Sequence, residues 1–71
     1  MNTTEWAEAL FVSDLQPSLR PTADQVAAAI GSSLCRYGAA GCAAVAAAEY
    51  GEHPDTAPAR MRWALSLASF A

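Results

Sequence analysis

Apolar residues recur at helical spacing in four stretches of this chain, divided by glycine and proline. In the first, Trp6, Ala7, Leu10 and Phe11 fall at i, i+1, i+4 and i+5, with Leu15 extending the stripe and Glu5, Glu8 and Asp14 off it. Asn2-Thr3-Thr4-Glu5 places a carboxylate three residues after a capping side chain, so a helix is expected over 4–15, begun by Asn2 or Thr3. Two prolines make Gln16–Pro21 a loop, since each lacks an N–H and biases the residue before it away from the helical region. Thr22 then caps a second helix with Gln25 three residues on, and Val26, Ile30, Leu34 and Tyr37 mark its apolar face over 22–37. Gly31, costly inside a helix by about 1 kcal/mol, reads as the mark of a close helix crossing. Gly38 reads as a left-handed C-terminal cap.

Ala39-Ala40-Gly41 is expected to turn the chain into a third helix, 42–50, nearly all alanine around Val45 and stopped by Gly51. A fourth helix is expected over 55–69, with Asp55 as its cap and Pro58 at the third helical position, where a missing N–H does no harm. It carries Ala57, Met61, Ala64, Leu65 and Ala68 on one face, with Trp63, Leu67 and Phe70 beside them. An apolar arc this wide points to burial on two sides. The pattern predicts an all-α fold: one compact four-helix domain, 1–71, organised around the last two helices and the glycine-started corner between them.

Composition sharpens this picture. A chain of 71 residues buries only about 60% of its unfolded surface. Much of its 54% hydrophobic content is alanine, so the core must come from close helix approach or be completed by a second copy. Seven acids against four arginines and no lysine leave a net charge of −3, which lacks the basic field of a nucleic-acid binder. The acidic start, MNTTEWAEALF, does not read as a secretion signal. No stretch approaches the ~18 apolar residues of a membrane span. A cytoplasmic protein with reduced cysteines is expected.

Candidate chemistry is sparse. Cys35 and Cys42 stand seven apart across the expected turn, where an oxidising compartment could join them. With His53 they offer three potential metal ligands, but structural zinc takes four. A single histidine and scattered hydroxyls assemble no catalytic triad or acid–base couple. No enzyme, cofactor or metal is therefore expected. His53, beside Glu52 and Asp55, reads as a solvated corner.

The spacing Ala47, Gly51, Thr56, Arg60, Arg62 resembles the helix-turn-helix of bacterial DNA-binding regulators. There a small residue lets the helices touch, a glycine makes the turn and the second helix enters the major groove. Ala57 stands where that family carries a branched apolar residue, Pro58 where a DNA contact is expected, and Glu49, Glu52 and Asp55 surround the corner. The chain as a whole resembles small uncharacterised helical proteins of actinobacteria that share WAEALF, here Trp6–Phe11, and MRWA, here Met61–Ala64. That resemblance implies a lineage and no activity. The leading expectation is an interaction or regulatory module, a homodimer that docks by its helices on itself or another protein. Its docking residues are expected among Thr56, Arg60, Arg62, Trp63, Leu67 and Phe70. Duplex DNA facing Thr56, Arg60 and Arg62 is the alternative.

Overall fold

The computed structural model describes residues 2–69, and among these every regular element is helical. Helix α1 spans Thr3–Phe11, a short 3₁₀ turn Pro17–Leu19, helix α2 Ala23–Glu52 and helix α3 Ala57–Ala68. The four-helix count is corrected to three. Both expected capping boxes form. The Glu5 N–H donates to Asn2 Oδ1 at 2.9 Å and the Asn2 N–H to Glu5 Oε1 at 3.2 Å. The Thr22 N–H donates to Gln25 Oε1 at 2.8 Å and the Gln25 N–H to Thr22 Oγ1 at 3.2 Å. Each box satisfies two of the donors a helix start leaves free.

Helix α1 ends at Phe11 rather than near Leu15. The Ser13 hydroxyl donates to the Leu10 carbonyl at 2.6 Å and accepts from the Leu15 N–H at 3.3 Å. A serine that bonds nearby backbone in this way offers the chain an alternative to another helical turn. The second and third expected helices are one helical element with a break at Gly38, where φ is 70° and ψ 171°. This backbone region is essentially reserved for glycine. Ala39–Gly41 makes no separate turn, because alanine is the strongest helix former and resumes the helix at once. Across the break the Cys42 thiol donates to the Ser33 carbonyl at 3.6 Å, tying the two segments together. Gly51 lies inside α2, and the corner is made by 53–56. Asp55 is not the cap of α3: Thr56 holds that place without a side-chain bond, and Pro58 stands in the first turn.

Helix α1 packs against both α2 and α3, which scarcely touch one another. The organising centre is thus the first helix, not the corner. The core joins Ala7, Leu10 and Phe11 of α1 to Val26, Ile30, Cys42 and Ala46 of α2 and to three alanines of α3. Over half of these buried apolar positions, Ala9 included, are alanines. Leu10 and Cys42 are the largest side chains fully enclosed. The lone chain exposes 4390 Å², near the ~4200 Å² that its mass predicts for a folded monomer. Its radius of gyration, 10.9 Å, matches the ~11 Å expected of a compact domain this long. A second copy is not needed to close the core. Among the described residues no helix is long and apolar enough to cross a membrane.

The two glycines of α2's first half carry opposite predictions. Gly31 is exposed, and a Cβ there meets nothing within 4 Å. It marks no helix crossing, so Gly31→Ala is expected to stabilise by about 0.5–1 kcal/mol. Gly38 also has open space around it, but its φ does not suit a side chain. Gly38→Ala is expected to cost about 1–3 kcal/mol. Urea unfolding of the two variants beside the parent checks both signs.

Burial, and secondarily the Glu8 carboxylate, push the Cys42 thiol above its ordinary range. The folded state therefore holds this proton more tightly than the unfolded state. The resulting contribution is complete below the unfolded thiol's pKa, about 8.5. It is lost as pH rises through the folded value. Thermal melts in alkaline buffers are expected to fall more steeply for the parent than for Cys42→Ala, with parallel curves at neutral pH.

Candidate docking surface

The last helix divides its expected docking residues between inside and outside. Arg60 and Arg62 leave a helix about 200° apart; Arg60 is half-buried and Arg62 exposed. The Arg60 Nε donates to the Phe11 carbonyl at 2.8 Å, and one terminal nitrogen donates to the Ser13 and Leu15 carbonyls at 2.9 and 3.0 Å. The guanidinium also sits 5.7 Å from the Phe11 ring centroid and 5.0 Å from that of Trp63. Its planar fork of donors suits this three-carbonyl site as an ammonium does not. Burial lowers its proton affinity, and the Glu49 carboxylate partly restores it.

Trp63 and Leu67 are half-buried and pack against the core. Thr56 and Arg62 are exposed. Leu65, expected on the packed face, is 39% exposed, while Phe70 lies outside the described residues. Most of the apolar arc of α3 is therefore turned toward α1. The burial on two sides inferred from its width is not seen among the described residues, where α3 packs on α1 and scarcely touches α2.

An exposed face of small residues lies on the second half of α2. Ala40, Ala44, Ala47 and Gly51 recur at i, i+4, i+7 and i+11, all exposed. Cys42 and Ala46 point the other way, into the core. Tyr50 borders the stripe at 40% exposure, its ring stacked on Phe11 with centroids 6.1 Å apart and planes 10° apart. Tyr37, equally exposed, precedes the stripe. A Cβ on Gly41 would stand 2.9 Å from Tyr37 Cβ, so the small residue there leaves the tyrosine its place. Its 4-3-4 spacing is readable in the chain, but the docking residues were expected on the last helix, at 56–70, and not here.

Two further features stand apart from it. A groove of about 660 Å³ runs between the loop after α1 and the first half of α2, with Val12, Leu15 and Ala29 among its apolar walls. At the end of α2, Glu49, Glu52 and His53 bring their ligand atoms within 4.8 Å of one another. The cysteines do not come together as a bridge: Cys35 is exposed, Cys42 buried, and both are free thiols.

Arg60→Ala is expected to destabilise the fold by about 2–4 kcal/mol, since it strips three half-buried carbonyls of a charged donor. Arg60→Lys is expected to recover less than half of that loss. Chemical denaturation of both variants measures it. No known protein family, no curated protein and no solved structure matches this chain.

Proposed function

We propose that the protein is a small intracellular docking module that assembles as a homodimer through the second half of α2. The observation that carries this reading is the exposed stripe of Ala40, Ala44, Ala47 and Gly51 beside Tyr50. Residues this small let two helices approach closely, as the same residue types do along packed helix seams. The stripe is self-complementary when two copies lie antiparallel, because reversing its direction superposes the 4-3-4 spacing on itself. A two-fold axis is the commonest symmetry of soluble oligomers and requires such a patch.

Charge supports the same arrangement. The end of α2 and the corner beyond it carry Glu49, Glu52 and Asp55, whereas Arg36 precedes the stripe. Antiparallel pairing brings the acidic end of one copy toward the basic end of the other. The alanines set the distance between helices, and Tyr37 and Tyr50 add the larger contact areas that interfaces draw from aromatic residues. Free thiols at Cys35 and Cys42 fit a reducing compartment. The acids around the corner and the commitment of Arg60 to backbone carbonyls favour this reading over a DNA contact.

Light scattering across a concentration series is expected to show a dimer that Ala44→Glu converts to a monomer of unchanged helix content. A parent chain that stays monomeric at millimolar concentration rules the homodimer out. Duplex DNA binding that weakens steeply with salt would establish the DNA reading instead.

A further inference from the structure

Glu49, Glu52 and His53 occupy positions i, i+3 and i+4 at the end of α2, so their side chains leave the helix on one side. One carboxylate oxygen from each glutamate and one imidazole nitrogen lie within 4.8 Å of one another. His53 Nε2 stands 3.9 Å from Glu49 Oε2. Bonds of about 2.0–2.2 Å to a central ion would hold three such donors roughly 3.4 Å apart. Glu52 and His53 are both exposed, so their side chains have room to move toward a shared ion.

Two facts separate this corner from an ordinary acidic surface. The imidazole is a nitrogen donor of the kind zinc and its neighbours in the transition series prefer, while calcium and magnesium take oxygen ligands. The donors also stand at the carboxyl end of a helix, where the last carbonyls present the negative end of the backbone dipole to a cation. The His53 N–H already donates to the Glu49 carbonyl at 2.7 Å, which fixes the backbone of the third donor against that of the first. Arg60, the cation that acts on Glu49, is committed to the carbonyls of Phe11, Ser13 and Leu15.

We infer that Glu49, Glu52 and His53 form a binding site for a divalent transition metal, zinc by its donor set, with water completing the coordination. The site lies on the acidic end of α2, outside the alanine stripe.

Calorimetric titration of the 71-residue chain with Zn²⁺ is expected to give saturable binding of one ion per chain. His53→Ala and Glu52→Gln, each checked for unchanged helix content by circular dichroism, are both expected to weaken it at least about tenfold. Cys35→Ser is expected to leave it unmoved, and an excess of Mg²⁺ is expected not to displace the ion. The inference is overturned by the absence of saturable binding, by binding that survives His53→Ala, by binding lost in Cys35→Ser, or by displacement with Mg²⁺.

Discussion

The guanidinium of Arg60 ties the last helix to the end of the first and to the loop that follows it. A helix leaves its last carbonyls without internal partners, and α1 has no basic residue in its last turn to answer them. Arg60 supplies the missing donors from 49 residues further along, bonding the Phe11 carbonyl and then those of Ser13 and Leu15. A positive charge at the carboxyl end of a helix also complements its dipole. The same group lies over the rings of Phe11 and Trp63, and Phe11 in turn stacks on Tyr50. One arginine thereby fixes the end of α1, the path of the following loop and the seat of α3.

What surrounds this clamp is a core of small residues. Alanine contributes little apolar area, so the large buried side chains Leu10 and Phe11, both from α1, carry a disproportionate share of the hydrophobic stabilisation. The alanines of α3 let it lie close to α1, which is why a thin core still closes around a single chain. Helix α2 uses alanine in two ways. Ala46 faces inward, while Ala40, Ala44 and Ala47 stay in water. Composition alone does not distinguish these uses, because all four residues are chemically identical; their spacing along the helix sets which way each one points.

This explains how far the fold was legible. The starts of α1 and α2 could be read because capping boxes are local: Asn2 with Glu5 and Thr22 with Gln25 each span three residues. Val26 and Ile30 were readable as core for the same reason. Tyr37, on the same apolar stripe, is instead 40% exposed, because the chain changes direction one residue later. The partners of Arg60 were not legible, since three backbone carbonyls 45 to 49 residues away leave no trace in spacing or residue type. Nor was the weak contact between α2 and α3, which depends on α1 occupying the place between them. At the acidic corner the Glu49–His53 spacing was visible in the chain, yet its significance required the side chains to converge.

The position of α1 has a consequence for biosynthesis. Helix α1 is made before the two helices that lean on it, but the residue that completes its carboxyl end follows 49 residues later. A nascent chain can form α1 and the capped start of α2 as local structure, and these remain without their long-range support until α3 has emerged. Folding thus waits for α3, and a chain cut before Arg60 lacks the donor that answers the carbonyls of Phe11, Ser13 and Leu15.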